Sequence, residues 1–119
     1  MAHTKKVFFV GMVLLSSLLL VRPAHAATTG NDLLRFCTSD ANSVEQSFCL
    51  GYLHGLVDGV MVIKISEARP QVFDIPAGVD ILQVRDVVVR FLKENPKDRH
   101  LSAATLVFKA LTEAFPSKP

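Results

Sequence analysis

Two cysteines, Cys37 and Cys49, are the only ones in the chain, and what they can become depends on the compartment the chain folds in. The N-terminus answers that question. Met1 to Lys6 carries Lys5 and Lys6 and no acidic residue; Val7 to Val21 is an apolar run, and Arg22-Pro23 breaks it before Ala24-His25-Ala26. A basic start, an apolar stretch and small residues at the −3 and −1 positions are the pattern of a cleavable secretory signal. The run of about fifteen residues is shorter than the roughly 17–25 that a spanning helix needs. Residues 1–26 are therefore expected to be a signal peptide cleaved after Ala26, residues 27–119 the mature domain, and the periplasm its destination. In that oxidising setting a Cys37–Cys49 disulfide is the expected state. Closing so short a loop contributes about 3 kcal/mol in the chain-entropy model. The spacing matches neither a zinc motif nor a C-x-x-C redox motif.

Cleavage also changes the charge. The full chain has thirteen Lys and Arg against eleven Asp and Glu. Lys5, Lys6 and Arg22 belong to the leader, so ten basic residues face eleven acidic ones in the mature chain, close to −1 at pH 7. No cationic surface of the kind nucleic acid demands is in prospect, and no membrane association is expected once the leader is gone.

The mature sequence reads as one all-α domain, a bundle of about four helices. The first stretch runs from about Asn31 to Cys37 and turns Leu33, Leu34 and Phe36 to one side. Ser43, with Gln46 three residues on, predicts a capping box opening the second helix. Cys49, Leu53, Leu56, Val57 and Val60 then form its apolar stripe, and the pattern dissolves after Lys64. A second stripe, Gly51, Gly55 and Gly59, repeats every four residues. Each interior glycine costs about 0.8–1 kcal/mol of helix propensity relative to alanine, so a compensating close approach is expected. Another helix of the same chain crossing the stripe is the favoured reading, and a dimer contact the alternative. Ser66 to Gly78, with Pro70, Pro76 and Gly78, reads as a long loop. Its Glu67, Arg69, Gln71 and Phe73 are the candidate partner contacts. Asp80 with Gln83, flanked by Val79 and Val84, predicts the next helix start; Ile81, Val84, Val88, Phe91 and Leu92 line that helix, and Asn95-Pro96 ends it. Ser102 is the expected cap of a last helix burying Leu106, Val107, Ala110, Leu111 and Ala114, stopped by Pro116.

Chemistry is sparse. His54 and Asp58 stand one helical turn apart, and such a pair can orient a general base or supply two metal ligands. With no nucleophile or third ligand in view, a solvated pair on the polar side of an amphipathic helix is the plainer reading. His100 falls in a turn. The expectation is a binding protein, not an enzyme, with no catalytic residues, no metal and no cofactor.

An ordered series of blocks carries a resemblance. Cys49-Leu50-Gly51-Tyr52 with Gly55 and Asp58-Gly59, Ile75-Pro76-Ala77-Gly78-Val79, Gln83, Val87-Val88, Phe91-Leu92 and Pro96, then Ala110-Leu111 and Ala114-Phe115-Pro116, resemble the Rap/Tai family of type VI secretion immunity proteins across nearly the whole mature chain. The resemblance implies an exported helical protein, often dimeric, that binds and sterically blocks a peptidoglycan amidase delivered into the periplasm. Its implied partners are thus a cell-wall hydrolase and a second copy of itself. Related chains often carry cysteines where this one has Asp74 and Ser117, which implies a lost second bridge and a Ser66–Gly78 loop untied from the C-terminus. A periplasmic acid-stress chaperone is the alternative of another class, since protonating eleven carboxylates would leave the chain strongly cationic.

Overall fold

The computed structural model describes residues 27–67 and 72–118. The expected leader, Arg69 and Gln71 lie outside the described residues. Those residues form four α-helices and no strands: α1 (Gly30–Cys37), α2 (Val44–Glu67), α3 (Ile81–Glu94) and α4 (Ala103–Ala114), with a 3-10 turn at Pro96–Asp98 between the last two. The all-α expectation holds.

Each helix start has its own local cause. Thr29 caps α1: its hydroxyl accepts from the Asp32 amide (3.2 Å) and its own amide donates to Asp32 Oδ2 (3.1 Å). This capping box places the helix start at Gly30, one residue earlier than Asn31, the expected opening. The Gln46 amide donates to Ser43 Oγ (3.0 Å) at the head of α2, but only half of the expected box forms. Gln46 is turned into the bundle, where its Oε1 is buried without a hydrogen-bond partner. Asp80 and Gln83 make the full reciprocal pair at α3, 2.9 and 3.0 Å. Ser102 stands at the head of α4 yet makes no side-chain cap bond. Its backbone instead bridges to Thr29.

That bridge fixes the segment leading into α1. Gly30 N–H donates to the Leu101 carbonyl (3.0 Å), Asn31 N–H to Arg99 (2.9 Å), and Ala103 N–H to Thr28 (2.8 Å). Gly30 is buried, and a Cβ there would collide with the Leu106 side chain and press on the Arg99 backbone, 3.0 Å from its carbonyl oxygen. Close approach of two backbone segments demands glycine at this position.

The core is a single cluster drawn from all four helices: Leu33, Cys37, Cys49, Leu53, Val84, Val88, Phe91, Leu92, Leu106, Val107, Ala110 and Leu111 are buried together. These are the apolar positions that 3.6-residue spacing puts on one side of each helix. The disulfide joins Cys37, ending α1, to Cys49 in the second turn of α2, Cα atoms 5.1 Å apart. It therefore ties a helix of only eight residues to the longest one.

Phe73 corrects one expectation. It is 4% exposed, packed edge-to-face on Phe108 with ring centroids 5.4 Å apart. A side chain of that size, placed beside the apolar cluster, gains more from burial than from solvent, and it is a core residue rather than a partner contact. Phe73 also bridges to Pro116 through the backbone, and the Asp74 amide donates to the Phe115 carbonyl. The returning loop is thus fastened to the C-terminus without a second disulfide, contrary to the untied loop expected. Beyond it, Gly78 takes φ +94, a left-handed turn that favours glycine, and the Val79 amide closes back on Pro76 (3.2 Å).

Candidate functional site: an apolar groove and the outer face of α2

The first half of α2 is anchored in the bundle and the second half is not. Cys49 and Leu53 are fully buried, whereas Leu56, Val57 and Val60 are only half-buried and Met61, Val62 and Ile63 are exposed. An open apolar groove of about 540 Å³ runs between this second half and α4, walled by Leu56, Gly59, Val60 and Ile63 on one side and Ala104 and Phe108 on the other. By length and composition Val44–Ile63 is apolar enough to cross a membrane. The disulfide and the burial of Leu53 tie the helix into a helical bundle instead. Apolar side chains left exposed along one stretch of a helix mark a surface that a partner can cover.

The glycine stripe is open. An added Cβ at Gly51, Gly55 or Gly59 meets nothing within 4 Å, and all three residues are exposed. No described helix of this chain crosses the stripe, so the intramolecular packing expected from the sequence is not found. The bundle closes on the opposite side of α2, where the larger side chains of Cys49 and Leu53 offer more apolar area to bury.

An aromatic cluster that the sequence reading missed lies beside the disulfide. Phe36 and Phe48 meet edge-to-face at 4.8 Å, and Phe48 stacks on Tyr52 at 6.0 Å. The Arg35 guanidinium sits 4.4 Å over the Phe36 ring. The signal was available, because each phenylalanine immediately precedes a cysteine, and closing the bridge brings both rings together. Tyr52 also hydrogen-bonds with the Ala104 backbone, and partial burial pushes its phenol up.

His54 and Asp58 are both exposed on α2. Among the described residues no group of three or more His, Cys, Asp or Glu could hold a metal ion. His100 is exposed, with Nδ1 3.0 Å from the Lys97 carbonyl. Glu67 closes α2; of the four loop residues expected to touch a partner, Phe73 is the one placed with its side chain, and it faces inward.

A disulfide-stapled helical bundle whose most distinctive surface is an uncovered apolar face defines a small protein-binding module. The chain belongs to the Rap1a immunity protein family, whose model matches residues 29–117. That membership implies an immunity function exercised by binding an effector protein. No curated protein and no solved structure matches the chain.

Proposed function

We propose that this chain is a periplasmic immunity protein that binds a peptidoglycan amidase effector of a type VI secretion system and inhibits it by covering its catalytic cleft, without chemistry of its own. The observation that carries this reading is the family match over residues 29–117, which takes in all four helices. The signal-like N-terminus and the disulfide agree with export to the compartment where cell wall is exposed to such an enzyme. The open groove between α2 and α4 supplies the kind of apolar surface from which partner binding draws its energy. The same reading has the protein self-associate. The test is protection: cells carrying a periplasm-directed amidase effector from the same genome should survive when this protein is co-expressed with its leader, and die when the leader is deleted. Purified protein should abolish amidase turnover at a one-to-one ratio. Failure to protect against, or to inhibit, any such amidase overturns the reading.

A further inference from the structure

The cleft between α2 and α4 is shut at one end and open at the other. At the shut end the Tyr52 phenol hydrogen-bonds with the Ala104 backbone, joining the two helices directly. From that contact both helices lead the same way, α2 through Leu56, Gly59, Val60 and Ile63, and α4 through Phe108 and Lys109. Exposure rises along the path, from fully buried Leu53 through half-buried Leu56 and Val60 to Ile63, which is 52% exposed. Leu56 and Ile63 stand about 10 Å apart along the helix axis. The space between the helices is thus a tapering apolar slot of about 540 Å³, within the roughly 300–1,000 Å³ of small-molecule sites. An α-helix, about 10–12 Å across with its side chains, is too wide for the shut end. A single hydrocarbon chain is not.

One charge marks the slot. Among the described residues that line it, Lys109 alone carries a charge, and it is exposed toward the open end. The ion pairs among the described residues are Arg35 with Asp32 and Arg85 with Asp86, so none of them answers Lys109. Asp58 falls on the far side of α2 at 3.6 residues per turn, and Glu113 lines a different pocket, between α3 and α4. A lone cation at the mouth of an apolar slot is complementary to a molecule with one hydrocarbon chain and one anionic end.

We propose that this cleft binds a medium-chain fatty acid, its methyl end toward Leu56 and Ala104 and its carboxylate at Lys109 Nζ. The site goes beyond the immunity reading and is independent of which effector is bound.

The experiment titrates the full mature protein with sodium decanoate below its micelle concentration, read by calorimetry. One molecule should bind per chain. In the series from hexanoate to dodecanoate, affinity should rise about two- to fourfold per methylene and level off once the slot is filled. Decyltrimethylammonium, with the same chain and the opposite charge, should bind more weakly. Lys109→Gln should weaken decanoate binding about threefold, the scale of an exposed ion pair. Gly59→Leu adds a side chain where there is open space beside the slot and should weaken it at least tenfold. Both variants should keep the helical circular dichroism. In the wild type, decanoate should shift the methyl resonances of Leu56, Val60 and Ile63, a readout that needs no variant. No saturable binding at millimolar decanoate, an affinity untouched by Gly59→Leu, or equal binding of the cationic amphiphile would overturn the site. Binding that fades as protein concentration rises would give the slot to a second copy and overturn it too. Protein that ignores decanoate and floats with phosphatidylglycerol vesicles would give the face to a membrane, with the same consequence. Amidase inhibition separates the two readings: protein that binds decanoate in this way and inhibits no amidase removes the immunity target and leaves this site standing.

Discussion

The backbone amide of Asp74 donates to the carbonyl of Phe115 at 2.9 Å, so that the segment entering α3 is laced to the segment leaving α4. The neighbouring ring of Phe73 supplies the anchorage by burial against Phe108.

Phe73→Ala should therefore cost stability, not binding contacts. Truncating a buried phenylalanine typically costs about 3–5 kcal/mol, and urea unfolding of the monomer should show a loss of that order. Hydrogen exchange at the Asp74 amide should accelerate at the same time. A variant with wild-type stability and weakened effector binding would return Phe73 to the surface.

The disulfide should matter in the same currency. Replacing Cys37 and Cys49 together by serine removes the disulfide cross-link between α1 and α2 and should destabilise the domain by about 3 kcal/mol. The aromatic cluster should loosen with it, because Phe36 and Phe48 are held together by the bridge that follows them in sequence. Near-ultraviolet circular dichroism of the double variant reads that loosening directly.

Glycines should separate into two kinds. Gly51→Ala adds a methyl group in open space on an exposed helix and should stabilise the monomer by about 0.8–1 kcal/mol. Gly30→Ala forces a Cβ against Leu106 and the Arg99 backbone and should destabilise it by about 1–3 kcal/mol. Thermal denaturation at dilute concentration, where association does not contribute, should move in opposite directions for the two variants.

Acid should weaken the start of α1. The Asp32 carboxyl is held below the usual carboxylate range, first by the Thr29 hydroxyl that donates to it at 2.7 Å, then by the Thr29 amide, with a smaller contribution from Arg35. A depressed carboxyl stabilises the fold at pH values above its ordinary, unfolded pKa, and that contribution disappears as pH falls through the lower, folded value. The stability difference between wild type and Asp32→Ala, followed by urea unfolding from about pH 5 downward, should shrink toward zero. A difference that stays constant across that range would exclude the linkage.

Much of the bundle is legible without coordinates, because its determinants are local or periodic. Asp80 and Gln83 satisfy each other's backbone donors within one turn, Val84, Val88, Phe91 and Leu92 repeat at helical spacing, and Pro96 and Pro116 stand just past helix ends. Two cysteines leave one pairing open to them. These features need no knowledge of distant neighbours.

Tertiary structure alone decided which surfaces meet. Glycine has the same propensity cost wherever it falls in a helix, so Gly51, Gly55 and Gly59 look like contact positions and stand open, while Gly30, at a helix start, is the one pressed against another backbone. Phe73 sits in a loop without helical periodicity and is buried because Phe108 and Pro116 arrive beside it from over thirty residues away in the chain. Gln46 reads as a cap and is drawn into the core. Periodicity tells which face of a helix is apolar; only the packing of one element on another tells which apolar face finds a partner inside the molecule and which is left for one outside it.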